Sequence, residues 1–497
     1  MKKSKKSDAD GKVSRRQFVA SSAVAAAGLT ILPSGIISAR GRTAPSDKLN
    51  IAGIGIGGMG HRNVENMKSE NIVALCDVDW SYSADAFKDF PNAKQFKDYR
   101  KMFDTMSDEI DAVVIATPDH THAITAMAAM SLDKHVYVQK PLTHTVFESR
   151  TLRLTASDRG LATQMGNQGN SADGVRDICN WLWNGAIGEV KRVHAWTNRP
   201  IWPQGLERPT EEMEVPDTLD WDLFIGPAKM RPYHSAYTPW NWRGWWDYGT
   251  GALGDMACHI LDPVFMGLQL GSPTAVQASS TPFNTESAPQ AEVVDYKFPA
   301  REKHHKQKMP AVHVTWYDGG MMPKRMSELK DGEMMGDRSG GVVFIGSKGK
   351  IMCGCYGAKP RLFIGGKEAT KEHKVPDMQR RITVSHEMDW VRSVKESAEN
   401  RVPSSSNFNY SGPLNEMVVM GNLAVRLQDL KRELKWDGEA MKITNISNSD
   451  EVSIVKSDTF SIHAGHPSFD TKHETIKAKE FAEEMIRHEY RKGWKLM

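Results

Sequence analysis

Apolar and polar positions alternate along the chain in two successive rhythms. From Lys48 to about Gly166, short apolar runs over 49–54, 72–76, 111–117 and 135–139 read as strands, and helical spacing appears over 61–68 and 121–130. Strands alternating with helices predict a parallel, doubly wound sheet. Past Gly166 the pattern changes to a helix over 175–183, a strand over 190–196, a Pro- and Trp-rich stretch over 198–246 and a helix over 252–268. Separated strand signals follow at 275–280, 291–298, 312–317, 341–346 and 350–353, then an amphipathic helix over 413–430. This second pattern predicts an α+β domain built on an open sheet. The stretch 301–309 reads as a charged loop with His304 and His305 at the surface. No internal repeat is present. The chain thus divides into a leader and linker (1–45), a first α/β domain (46–166), a second α+β domain (167–445) and a polar tail (446–497).

Composition narrows the function classes. Of 497 residues, 40% are hydrophobic and 25% charged, enough apolar content for full-sized cores. The net charge of +3 is concentrated at the start: residues 1–42 hold five Lys and four Arg against two Asp, which leaves the rest at about −4. That balance gives no basic footprint for nucleic acid. The five cysteines, Cys76, Cys179, Cys258, Cys353 and Cys355, include no CxxC pair and read as buried thiols, and no metal is expected. The leader carries Ser14-Arg15-Arg16-Gln17-Phe18 before a weakly apolar Ala-, Ser- and Gly-rich run over 19–32, the twin-arginine export pattern. The run is too short for a lasting membrane span, so a periplasmic protein with no stable span is expected.

The chemistry begins at Gly55-Ile56-Gly57-Gly58-Met59-Gly60, which follows a strand and opens a helix. The first glycine permits a tight turn, the second lets backbone approach a pyrophosphate, and the third lets the helix pack close to the strand. Asp77 ends the next strand about 20 residues on, where a carboxylate accepts from both ribose hydroxyls and repels a 2′-phosphate. NAD is therefore expected in preference to NADP. Asp255 and His259, four residues apart, share one helix face. Oxidising a secondary alcohol requires that its hydroxyl proton leave as the carbon-bound hydrogen departs as hydride, and an imidazole suits that step near neutral pH.

The glycine motif, Ile115-Ala116-Thr117-Pro118-Asp119-His120-Thr121-His122, His135-Val136-Tyr137-Val138-Gln139-Lys140-Pro141-Leu142 and Gly251-Ala252-Leu253-Gly254-Asp255-Met256-Ala257-Cys258-His259-Ile260-Leu261-Asp262 occur in order. With them the chain resembles the Gfo/Idh/MocA oxidoreductases, the family of glucose-fructose oxidoreductase and inositol dehydrogenase, over roughly residues 48–440. The resemblance implies a Rossmann domain, a second α+β domain whose open, mainly antiparallel sheet forms the interface of a dimer or tetramer, and a cofactor contacted by Thr117, Pro118, His122, Gln139 and Lys140. It also implies that Lys140, Asp255 and His259 are catalytic. The family's glutamate-lysine-proline motif stands here as Gln139-Lys140-Pro141; the amide still forms hydrogen bonds but brings no charge.

Nine of the 14 tryptophans lie between Trp181 and Trp246, and Trp240-Asn241-Trp242-Arg243-Gly244-Trp245-Trp246 runs directly into the Asp255 helix. Flat apolar faces beside hydrogen-bonding groups suit a carbohydrate, which makes Arg199, Trp202, Trp242, Arg243 and Trp246 candidates for substrate contact, with Tyr233-His234 nearby and His386 as a further cleft candidate. The reading is an exported oxidoreductase that transfers a hydride between tightly bound NAD and a ring hydroxyl or ketone of a sugar or glycoside. The alternative is an NAD-dependent glycoside hydrolase that oxidises, eliminates, hydrates and re-reduces. The retained Lys140, Asp255 and His259 argue against a non-catalytic sugar-binding relative.

Overall fold

The computed structural model describes residues 47–496; the twin-arginine segment and the linker to position 45 lie outside the described residues. From Leu49 onward the chain forms one unit. Its first sheet contains β1 (Asn50–Ile54), β2 (Asn71–Cys76), β3 (Lys94–Phe96), β4 (Ala112–Ile115), β5 (His135–Val138) and β6 (Thr163–Met165), in the order 3-2-1-4-5-6 and parallel throughout. Alternate residues of each strand point to opposite faces, and both faces are dry. Ile51, Ala112 and Val114 pack with Val64 of α1 (Met59–Asn66), Ala86 of α2 (Ala84–Asp89) and Trp390. Ala52, Ile54, Val113 and Ile115 pack in the main core with Met102 of α3 (Tyr99–Met106), Met127 of α4 (Asp119–Ser131) and Leu152 of α5 (Val146–Asp158).

Beyond α6 (Asp173–Trp183) a ten-stranded sheet takes over, in the order 16-15-14-13-7-12-9-8-17-18. It comprises β7 (Val190–Thr197), β8 (Ala275–Ser280), β9 (Glu292–Phe298), β10 (Arg301–His304) and β11 (Gln307–Met309) as a side hairpin, β12 (Val312–Tyr317), β13 (Gly340–Gly346), β14 (Gly349–Gly354), β15 (Arg361–Ile364), β16 (Lys367–Glu368), β17 (Leu434–Asp437) and β18 (Lys442–Ile443). Only β7 and β12 pair in parallel; the other neighbours are antiparallel. Between β7 and β8 run α7 (Trp221–Ile225), α8 (Gly251–Ile260) and α9 (Asp262–Gly267). The helices α10 (His386–Lys395) and α11 (Phe408–Arg426) return to the first sheet, with Trp390 filling one face.

The structure departs from the sequence expectations in four places. The single helix over 252–268 is two helices parted at Leu261, because Pro263 in the first turn of α9 has no N–H to continue the ladder. The charged loop over 301–309 is the β10–β11 hairpin, turning at His305 with φ 50°, and His304 stands edge-on to Trp183 with ring centroids 4.6 Å apart. The three-residue strands β3 and β6 were too short to show a period. The polar tail is ordered: β19 (Glu451–His463) and β20 (His466–Lys477) form a long hairpin that leads into α12 (Ala478–Ile486). Val452, Ile454, Phe481 and Leu496 bury this segment in the main core. All five cysteines are free and buried.

Candidate active site

At the carboxyl edge of the first sheet, β1 runs into the glycine turn. Gly55 has φ 75°, and a Cβ there would lie 2.6–2.8 Å from the backbone of Ala116 and Thr117; one on Gly60 would lie 1.9 Å from the Gly55 carbonyl oxygen. Gly60 therefore serves the packing of α1 on the turn and is not part of the cavity lining. Among the described residues no side chain caps α1, and its first turn holds no acidic residue, so its amino end suits an anion. Asp77, at the end of β2, accepts hydrogen bonds from Gly57 N at 3.1 Å and Asp79 N at 2.9 Å. Burial pushes its carboxyl up to about 6 against the pull of those amides.

Gly55, Gly57, Gly58, Met59, Asp77, Thr117, Pro118, Gln139 and Lys140 line a cavity of about 520 Å³. The Gln139 amide donates to Asn63 Oδ1 at 2.7 Å, and Asn63 donates to Glu387 Oε1 of α10 at 2.9 Å. The amide that replaces a glutamate is thus joined through Asn63 to a carboxylate more than 200 residues away in the chain. Glycine cradle, uncapped helix and terminal carboxylate together fit a dinucleotide.

Lys140 reaches the other side of the same cavity. Its Nζ donates to Asp255 Oδ1 at 2.6 Å and to the Asp255 carbonyl at 2.9 Å, while Arg243 Nε meets the same Oδ1 at 3.3 Å. Burial raises the Asp255 carboxyl, but Lys140 and Arg243 outweigh it and hold the group far below the carboxylate range. The Arg243 guanidinium lies between Trp240 and Trp242, 3.8 and 4.3 Å from their ring centroids. Thr250, just before α8, donates to Asp119 Oδ2 of α4 at 2.6 Å and so fixes the helix that presents Asp255 opposite Lys140. Arg199, Trp202, Trp242 and Arg243 all line the cavity.

The remaining expected residues lie elsewhere. His259, one turn beyond Asp255, is 2% exposed and is absent from the cavity wall; its Nδ1 has no partner among the described residues. Burial, and next the Lys140 charge, press its pKa well below the ordinary histidine value, so the imidazole is neutral. His122 does not line the cavity: its ring nitrogens sit 2.7 and 2.8 Å from the Pro141 and Thr117 carbonyls, which pins the ends of β5 and β4 together. His386 is likewise a buried pin, between the Met165 carbonyl and Ser171. Trp246 faces a separate cavity of about 380 Å³ with Arg231 and Arg426, since its backbone pairs with Glu286 on the far side of the tryptophan loop. The site also contains residues not anticipated from sequence: Tyr82 over Gly57, Tyr356 against His259 at 4.6 Å, and Trp494 from the last turn of the chain. None stands in a motif, and only the fold brings them to the cleft.

Comparison with known proteins gives two family matches: residues 49–167 to the NAD-binding Rossmann fold of the Gfo/Idh/MocA oxidoreductase family, and residues 185–301 to its C-terminal alpha/beta domain. The inositol 2-dehydrogenase of Salmonella paratyphi B is 28% identical over 151 residues, 30% of this chain and 44% of that protein. The levoglucosan dehydrogenase of Pseudarthrobacter phenanthrenivorans is 26% identical over 188 residues, 38% of this chain and 40% of that protein. The matched part is thus less than half the length of these relatives. The solved inositol dehydrogenase homolog of Azotobacter vinelandii, complexed with NADH and myo-inositol, superposes with a TM-score of 0.53 at 16% identity, over 78% of this chain and 98% of that one, a likeness of fold. Residues 49–167 and 185–301 are thus similar, in this order, to the NAD-binding Rossmann fold and the C-terminal alpha/beta domain of the Gfo/Idh/MocA oxidoreductase family, and the two sheets and the glycine-lined cleft are consistent with that likeness.

Proposed function

We propose that the protein is an exported oxidoreductase that holds NAD tightly and transfers a hydride between it and a ring hydroxyl or ketone of a sugar or glycoside. One observation carries the reading: the glycine cradle and the Lys140–Asp255 pair open into the same cavity. The dinucleotide, when bound, supplies a nicotinamide that takes up hydrogen with its electron pair from the carbinol carbon. The chain does the rest. The Gly57 and Gly58 backbone and the amino end of α1 hold the pyrophosphate, and Asp77 accepts from the ribose hydroxyls, which favours NAD over NADP. Lys140 polarises the substrate oxygen, with Asp255 and Arg243 fixing its ammonium. The hydroxyl proton is assigned to the neutral His259, which stands behind the cavity wall one helical turn from Asp255 and reaches the substrate only when Tyr356, packed on its ring at 4.6 Å, uncovers it. Trp202, Trp240 and Trp242 offer apolar faces to a sugar ring, and Arg199 and Arg243 offer donors to its hydroxyls.

The names of the relatives support a polyol or anhydrosugar as substrate class. Export rests on the Arg15-Arg16 leader. Outside the cytoplasm no free NAD pool replenishes the enzyme, so a retained cofactor is reoxidised by a second carbonyl substrate. The test is to desalt the purified protein, release dinucleotide with acid, and in parallel mix intact protein with inositols, levoglucosan and aryl glycosides without added NAD. Near one-to-one dinucleotide, reduced-nicotinamide absorbance and a keto product are expected. Absence of dinucleotide rejects tight binding, and net hydrolysis of the glycosides rejects net oxidation.

A further inference from the structure

Residues beyond 446 lie outside both matched domains, yet the chain's last turn comes back to the cleft. Three anchors set its path. His488 Nε2 and Tyr490 OH meet Glu148 Oε1 at 3.1 and 2.7 Å. Arg491 donates through Nη1 to Asp222 Oδ1 at 2.6 Å, through Nε to the Gly226 carbonyl at 2.9 Å and through its backbone N–H to the Pro227 carbonyl at 2.8 Å. Leu496 is buried in the main core. Between the second and third anchors Trp494 lines the same cavity as Asp77, Val78, Lys97 and Tyr99, and the guanidinium groups of Arg100 and Arg491 lie 4.5 and 5.9 Å from its ring centroid.

Asp77 and Val78 follow β2, and Lys97 and Tyr99 follow β3, in the β2–β3 half of the sheet, whereas Gln139 and Lys140 follow β5 and face Asp255. A sheet of order 3-2-1-4-5-6 seats the two mononucleotide halves of a dinucleotide on opposite sides of its central crevice. With Lys140 and Asp255 at the reacting end, the adenosine half falls where Trp494 stands. Resting on the dinucleotide reading of this cavity, we infer that Trp494 is a cofactor-binding residue: its indole provides the face on which the adenine packs, and the anchored C-terminal segment holds that half of the cofactor against release. An indole accepts a purine face without needing a matched hydrogen bond, and an anchored ring loses little freedom when the base arrives.

The test uses the full-length protein loaded with the fluorescent ethenoadenine analogue of NAD and chased with unlabelled NAD. Trp494→Ala is expected to release the analogue roughly 5- to 100-fold faster, the range set by loss of one base–aromatic stack. Trp494→Phe retains most of the wild-type rate. Trp494→Leu, which keeps apolar volume but no π-face, behaves like alanine and covers the case in which alanine unsettles the segment. Affinity for nicotinamide mononucleotide, which lacks the adenosine half, is unchanged in all three. Wild-type release from both Trp494→Ala and Trp494→Leu, slower release, or a matching loss of mononucleotide affinity overturns the inference while leaving the cavity a dinucleotide site. A wild-type protein that binds neither the analogue nor the mononucleotide overturns the dinucleotide reading and this inference together.

Discussion

Lys140, Asp255, Arg243 and His259 form one electrostatic unit, so their replacements should not act independently. His259→Ala and Lys140→Met are each expected to slow reduction of bound NAD by roughly 10²–10⁴-fold, the usual range for a lost acid–base or polarising group. The double variant should resemble the worse single one, because both residues act on a single oxygen. Stopped-flow absorbance at saturating substrate reads that step directly; near wild-type reduction in His259→Ala would transfer the proton-accepting role to another group. Asp77 adds a pH dependence whose sign follows from burial. Its carboxyl, raised from 3.8 to about 6, takes up a proton as pH falls through 6 and then no longer accepts from both ribose hydroxyls. Dinucleotide affinity is therefore expected to weaken below about pH 6 and to lose this dependence in Asp77→Asn, as measured by fluorescence titration. In the cofactor-free protein the same shift favours folding most below the unfolded value and progressively less as pH rises through 6. Asp77→Ser should also relax discrimination against NADP.

Elements far apart in the chain meet at α5. Thr145 and Glu148 form a capping box at its start: the Thr145 hydroxyl accepts from the Glu148 N–H, and Glu148 Oε2 accepts from the Thr145 N–H at 3.0 Å. The other carboxylate oxygen takes His488 and Tyr490, so one side chain both caps a helix and holds the C-terminal segment. Burial raises the Glu148 pKa, but His488, His144 and Tyr490 more than offset it and leave it at about 2. A depressed carboxylate stabilises the fold above its unfolded value of 4.5 and loses that contribution as pH falls toward 2. Glu148→Gln is expected to speed hydrogen exchange in residues 487–496 selectively and to lower Tm. Uniform protection across both versions would mean that Arg491 and Leu496 hold the segment without Glu148.

At the scale of the molecule, one face of the ten-stranded sheet is buried by helices; on the other, Asp295, His313 and Tyr317 are exposed or half-exposed along β9 and β12, while Met326, Leu329 and Met335 cover Trp196, Val343, Met352 and Phe363 beside them. We expect copies to associate through that open face as a dimer or tetramer; a monomeric mass in light scattering, at concentrations where the protein retains NAD, would reject this. The sequence alone determined what depends on near neighbours. Strand and helix periods, the glycine turn after β1, the carboxylate ending β2 and the Asp255–His259 spacing are set within a few residues, and so were legible before any coordinates. Tertiary structure decided what depends on packing between distant segments. Local pattern distinguishes a lining residue from a buried one poorly: His122 became a pin between two backbone carbonyls, His386 one between a carbonyl and the Ser171 hydroxyl, and Trp246 turned to another cavity, although each stood in or near a motif. The Gln139–Asn63–Glu387 chain joins three elements, and Tyr356 and Trp494 reach the cleft only because the second sheet and the last turn fold back on the first. The tail looked merely polar because each strand of a hairpin with both faces near solvent carries little apolar signal; its order comes from cross-strand pairing and a few buried anchors, which no short window of sequence contains.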